Sequence, residues 1–116
     1  MGVKEGFGKY FWAKDNASYI GEWRQNTITG MGTYTWGDGR VYTGYWNLNN
    51  MEGIGIYKWP EGRIYEGKFE NDKKHGYGFY YWPDGREFQG WWHEGKQHGL
   101  GIYTDKSSND AKYGLW

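Results

Sequence analysis

The chain has 116 residues, 14 basic and 14 acidic side chains, no cysteine and 22% aromatic residues. Balanced charge removes the basic footprint that nucleic-acid binding needs, and the lack of cysteine removes disulfides and thiolate chemistry. No apolar run approaches the ~20 residues of a membrane-spanning helix, and Leu, Ile, Val and Phe are scarce, so folding has to draw its apolar area from Tyr and Trp rings.

In chain order, Gly6, Gly8, Tyr10 and Trp12 open with the pattern Gly-x-Gly-x-Tyr-x-Trp. The link Ala13 to Ser18 follows, with Asn16 placed to carry its turn. From Tyr19 a 23-residue period begins: YIGEWRQNTITGMGTYTWGDGR at 19–40, YTGYWNLNNMEGIGIYKWPEGR at 42–63, YEGKFENDKKHGYGFYYWPDGR at 65–86, then FQGWWHEGKQHGLGIYTD from Phe88. Each unit reads aromatic-x-Gly-x-aromatic, then Gly-x-Gly-x-Tyr-x-Trp. Both halves have period two, which predicts strands, and so many glycines would weaken any helix. Trp59-Pro60-Glu61-Gly62 and Trp82-Pro83-Asp84-Gly85 predict type I turns closed by a bulge, with Gly37-Asp38-Gly39 as the earlier variant. The six residues between halves, such as Asn47 to Glu52 and Glu70 to His75, predict a looser hairpin loop. The expectation is one domain, 1–116, all-β, an elongated single-layer antiparallel meander. It divides into a half repeat at 5–18, repeats at 19–41, 42–64, 65–87 and 88–111, and a half repeat at 112–116. The last full repeat has one residue inserted between Gly90 and Gly114, and Asp105 stands where a Trp is expected. Half-repeats at both ends suggest a fragment of a longer array, or an array whose edge strands pair with something else.

In strands, Gly44, Gly53 and Gly55 share a face with Tyr42, Trp46, Tyr57 and Trp59. Gly21, Gly32, Gly44, Gly55, Gly67, Gly78, Gly90 and Gly101 are the structural glycines of a shallow trough over which rings fold. Its walls, and the candidate partner-binding groove, are Tyr34, Trp36, Trp46, Tyr57, Trp59, Tyr80, Trp82 and Trp92. The plain role of these rings is to hold the sheet together. A single layer leaves ring surface uncovered, however, and exposed Trp and Tyr mark interaction sites. The opposite face carries Phe7, Met31, Ile54, Tyr77 and Leu100, so both faces are candidates for burial.

Arg40, Arg63 and Arg86 stand two residues after Asp38, Glu61 and Asp84. They read either as a solvated ladder of local ion pairs or as an edge contacting phosphate and lipid headgroups. Lys73 and Lys74 read as loop solvation. His75 and His98 recur by repetition, His93 stands alone, and no carboxylate or cysteine cluster accompanies them at ligand spacing, so no metal is expected. With no buried acid–base pair, nucleophile elbow or phosphate loop, neither an enzyme nor a cofactor is expected. Trp/Tyr/Gly hairpins also build carbohydrate- and choline-binding surfaces, but the 23-residue period and the missing export signal count against that class.

The Y-x-G-x-W half, followed by a loop and G-x-G-x-Y-x-W at this spacing, resembles the MORN (membrane occupation and recognition nexus) repeat from about Glu5 to Trp116. Departures are Pro60 and Pro83 in the turns, Phe69 and Phe88 for Trp and Tyr, and Asp105 for the closing Trp. The resemblance implies a twisted single-layer sheet without catalytic residues, serving as a scaffold or peptide-binding groove. Some members are proposed to contact acidic phospholipids. The partners implied are a protein or peptide segment, a second copy through the groove or sheet edges, or a membrane surface, with no nucleic acid. The place implied is the cytoplasm, at the cytoskeleton, the cilium or the periphery of a membrane.

Overall fold

The computed structural model describes residues 3–105 and 110–116. Its strands are β1 (Gly6–Trp12), β2 (Ala17–Arg24), β3 (Thr27–Thr35), β4 (Val41–Asn47), β5 (Asn50–Lys58), β6 (Ile64–Glu70), β7 (Lys73–Tyr81), β8 (Arg86–His93), β9 (Lys96–Asp105) and β10 (Asp110–Leu115). They form one antiparallel sheet in sequence order, with β1 and β10 at its ends. The meander read from the period-two pattern is the fold.

The proline turns form as expected. The Gly62 N–H donates to the Trp59 carbonyl at 3.0 Å and the Trp59 N–H to the Arg63 carbonyl at 2.9 Å. The loops between halves do not. Asn47 pairs with Asn50, leaving a two-residue turn at Leu48-Asn49 with φ of 47° and 70°. Gln25-Asn26, Asn71-Asp72 and Glu94-Gly95 repeat it. Two successive positive φ values match the twist of the flanking strands, and after glycine it is Asn and Asp that tolerate them best. The surplus residues are taken up inside the sheet. Gly44 pairs with Gly55 but Trp46 pairs with Met51, so a bulge lies opposite Tyr45. Gly53 occupies that bulge at φ 73° and faces Tyr45, so it does not belong to the trough as the period-two reading expected. Counting residues cannot separate a six-residue loop from a tight turn plus a bulge. Asn16 carries the first joint at φ 54°, as expected.

Cross-strand register turns the repeat into ladders. Gly8, Gly21, Gly32, Gly44, Gly55, Gly67, Gly78, Gly90, Gly101 and Gly114 pair one with the next across all ten strands. Two residues along, Tyr34, Tyr42, Tyr57, Tyr65, Tyr80, Phe88 and Tyr103 do the same. β10 keeps this register, with Lys112 in the aromatic slot opposite Tyr103 and Asp105 opposite Arg86. The stretch expected to carry the one-residue insertion, Gly90 to Gly114, includes 106–109, which lie outside the described residues.

The core sits on one face. Tyr19, Tyr42 and Tyr65 are completely buried, and Phe88 almost so, each lying flat over the glycine ladder. The other face, also expected to be a candidate for burial, stays open: Phe7, Met31, Ile54 and Leu100 are exposed. Long rings folding back over side-chain-free backbone can cover one face from within the sheet. On the far face Tyr77 meets Phe79 and Trp91 edge-to-face, but all three rings stay exposed because no second layer of described residues covers them.

The particle measures 57 × 25 × 19 Å with a Cα radius of gyration of 16.2 Å. A compact chain of this length would have about 13 Å. Small-angle scattering should therefore return a rod, with a pair-distance distribution skewed to long distances. A symmetric, globular distribution would contradict the sheet.

A candidate binding groove on the ring face

Two rows of rings build this face. The inner row pairs each strand's first aromatic with its second. Tyr42 meets Trp46 edge-to-face at 5.1 Å, and Phe69 of the next repeat at 5.1 Å. Tyr19 is clamped likewise by Trp23 and Trp46, Tyr65 by Phe69 and Trp92, and Phe88 by Trp92 and Trp116. Edge-to-face pairs add to the area each ring buries, so this row is what carries stability from one repeat to the next. The Tyr42 hydroxyl donates to the Tyr45 carbonyl at 3.1 Å. Burial, with the charge of Glu22 second, pushes the Tyr19 phenol up to about 12.

The outer row lies on top. Trp59 sits 4.5 Å from Tyr57 and 5.7 Å from Tyr80 of the next repeat, and Trp36 stands 4.7 Å from Tyr34 and 5.3 Å from Tyr57. These rings bound a concavity of about 690 Å³ with Ile28 and Met51 in its lining, followed by one of about 520 Å³ reaching Trp82 and Trp116.

Of the groove residues expected from sequence, Tyr34, Trp36, Trp59 and Trp82 are half-buried and face the concavities or the sheet margin. Trp46, Tyr57, Tyr80 and Trp92 are buried at 3–7% exposure and belong to the core, where they support the groove from below. The eight structural glycines lie beneath the rings, five of them buried and Gly32, Gly67 and Gly101 half-buried. The space left by their missing side chains is filled by tyrosine and phenylalanine rings: a Cβ at Gly55 would overlap Tyr42 Oη, Cζ and Cε1. The trough is thus sealed, and the groove is the hollow above the seal.

The arginine row is engaged within the fold. Arg40 Nε donates to Asp38 at 2.8 Å, its guanidinium lies 5.0 Å from the Trp36 ring, and its Nη1 donates to the Tyr57 hydroxyl at 2.9 Å. Arg63 makes the same set with Glu61, Trp59 and Tyr80. Arg86 pairs with Asp84 at 2.8 Å and covers Trp82. The Arg40 backbone N–H, helped by its guanidinium, holds the Asp38 carboxyl below the usual range. Each arginine staples a turn to the ring row, and two of them reach a phenol of the next repeat by hydrogen bond. Exposed ion pairs of this kind contribute little individually.

Lys74 was misplaced by sequence reasoning. It does not solvate a loop: it lies in β7 opposite Phe69. Its ammonium sits 5.2 Å from the Trp92 ring, 5.8 Å from Trp59 and Tyr65 and 5.9 Å from Tyr80. Burial first, and the charge of Arg63 second, lower its pKa. One signal could have found it. Aligned repeats put Ile28, Met51, Lys74 and Gln97 in one column, an inward slot that is apolar twice before it turns basic. His93, isolated in sequence, lies 5.2 Å from His75 and 5.6 Å from His98 with the rings tilted, yet among the described residues no group of three metal-ligating side chains is placed to hold an ion.

A single antiparallel sheet of hairpins, ring-sealed on one face and repeating by nearest-neighbour contact, is the architecture of a repeat-built binding or scaffold module. The MORN repeat profile matches residues 1–17, 19–39, 42–62, 65–85 and 88–109, and the chain belongs to the MORN-repeat family. Repeats of this family are in general protein- and membrane-interaction modules without catalysis of their own. No curated protein was found to match the chain.

Proposed function

We propose that this chain is a non-catalytic binding module that holds a segment of a protein partner along the ring-lined groove. The observation that carries the reading is the pair of adjoining concavities on the ring face, lined by half-buried Trp36, Trp59 and Trp82 above a sealed core. Tryptophan and tyrosine anchors with a polar rim suit a peptide, and a neutral net charge suits apolar capture better than long-range electrostatic attraction. Binding to acidic phospholipid would draw on Arg40, Arg63 and Arg86. Each guanidinium already donates its Nε–H to a carboxylate of the fold, and Arg40 and Arg63 donate from Nη1 to a phenol, which favours the groove. The place of action in this reading is the cytoplasm, at a cytoskeletal or membrane-apposed assembly.

Random dodecapeptides displayed on phage, selected on the full chain, supply the ligand for a test. Trp36→Ala/Trp59→Ala should weaken the selected peptide at least tenfold, as loss of an interface hot spot does. Gln in place of Arg63 and Arg86, neither of which lines a concavity, should change it much less. The reverse pattern, together with salt-sensitive flotation on vesicles containing phosphatidylserine that Gln in place of all three arginines abolishes, would overturn the groove in favour of a lipid surface.

A further inference from the structure

Resting on that groove, we propose that the segment held there is acidic: a side-chain carboxylate of the partner seats on the Lys74 ammonium, one repeat away from an apolar side chain seated on Met51. Lys74 lines both concavities and therefore marks where they meet. Its ammonium is enclosed by four rings and only partly exposed. Ring faces stabilise a cation, but they accept no conventional hydrogen bonds from its three N–H groups. Among the described residues no carboxylate comes within ion-pair distance of it. Asp72 lines the same hollow, but its Oδ1 accepts the Met51 N–H at 2.7 Å. The other charged lining groups, Arg40 and Lys73, are positive. A desolvated cation without an anion costs stability, and burial already lowers its pKa. A carboxylate from outside would compensate it.

The repeat geometry sets what such a ligand looks like. Met51 and Lys74 are equivalent positions two strands apart, so their slots are separated by about 9.6 Å, twice the strand spacing. A polyproline-type segment advances about 9.3 Å in three residues and returns to the same face. A helix advances about 10.5 Å in seven residues and does likewise. An extended β-strand presents one face every ~6.6 Å and misses the register. The ligand is therefore a segment with an aromatic or aliphatic residue and an Asp or Glu three or seven positions apart. A membrane surface does not fit the same hole, because a flat sheet of headgroups reaches the margin arginines before it reaches a lysine between ring rows.

Phage selection is repeated on Lys74→Met and Lys74→Gln. Both substitutes stand naturally in this column, at Met51 and Gln97, so the fold accepts them. Wild type should enrich peptides with an acidic residue at a fixed offset from an apolar one, and changing that Asp to Asn in a synthetic copy should weaken binding about tenfold. Both Lys74 variants should lose the acidic preference and keep the apolar one. Met51→Lys should add a second acidic position one repeat away. Apolar peptides selected without acidic enrichment, or with enrichment that survives in both Lys74 variants, would overturn the proposal and leave the groove standing. Selected peptides indifferent to Trp36→Ala/Trp59→Ala would remove the groove and this inference with it. Loss of phosphatidylserine-vesicle flotation in Lys74→Met, with peptide selection unchanged, would assign the lysine to lipid instead and overturn it.

Discussion

Gly55→Val is expected to lower the melting temperature by roughly 12–25 °C, whereas Ile56→Val, one residue away, should lower it by only a few degrees. The magnitudes follow from overpacking of about 3 kcal/mol or somewhat more, with each kcal/mol worth ~4–8 °C in a small domain. The asymmetry has a steric cause. A Cβ on Gly55 would occupy the space of the Tyr42 phenol. On the partner strand, a Cβ on Gly44 would stand 2.5 Å from the Gly55 Cα, so backbone closes the other side. Tyr42 would have to lift, breaking its hydrogen bond to the Tyr45 carbonyl and releasing the two rings clamped on it, Trp46 and Phe69. Ile56 points to the open face, is about one-third exposed, and loses a single methylene. Thermal melts followed by circular dichroism decide the matter. Equal melting temperatures would mean that Tyr42 does not lie over the glycine pair.

Tyr42→Ala should cost about 3–5 kcal/mol, the range for emptying a buried aromatic site, and Tyr42→Phe no more than about 1.5 kcal/mol. Tyr42 is fully buried, so its removal opens a hole floored by bare backbone of Gly44 and Gly55 and walled by Trp46 and Phe69. The phenyl ring does nearly all of this sealing. Phe88 shows as much within the same chain: it sits in the equivalent site at 1% exposure, without a hydroxyl, over Gly90 and Gly101. Urea titration at fixed temperature measures both variants. If Phe cost as much as Ala, the hydroxyl contact to Tyr45 would be the stabilising element and the ring seal would be wrong. Because repeat arrays unfold by neighbour contacts, the Ala variant should also broaden the transition, with the repeats on either side of Tyr42 losing cooperativity.

The period of the chain and the period of its strands were legible in the sequence, and with them the fold. Aromatic-x-Gly-x-aromatic followed by Gly-x-Gly-x-Tyr-x-Trp leaves no helical face, and Trp-Pro-Glu-Gly and Trp-Pro-Asp-Gly encode a turn whose backbone conformation follows from its residue types. Local chemistry of that kind is written residue by residue. Three other features were decided only when strands paired. The tight Leu48-Asn49 turn and the Gly53 bulge depend on which residue faces which across the hairpin, and a residue count is the same for either solution. The fate of the glycine trough depends on whether a neighbouring ring is long enough to reach it. Tyr42 is, so the trough became core and half of the expected groove wall went beneath the surface with it. Lys74 depends on both. Its sequence neighbourhood, Asn71-Asp72-Lys73-Lys74, is polar and reads as loop, but the two-residue turn shortens that loop and draws the lysine into β7 among rings from three repeats. Sequence determines what each residue can do alone, whereas a cation's surroundings are set by strands 23 residues apart, through register that only the folded sheet defines.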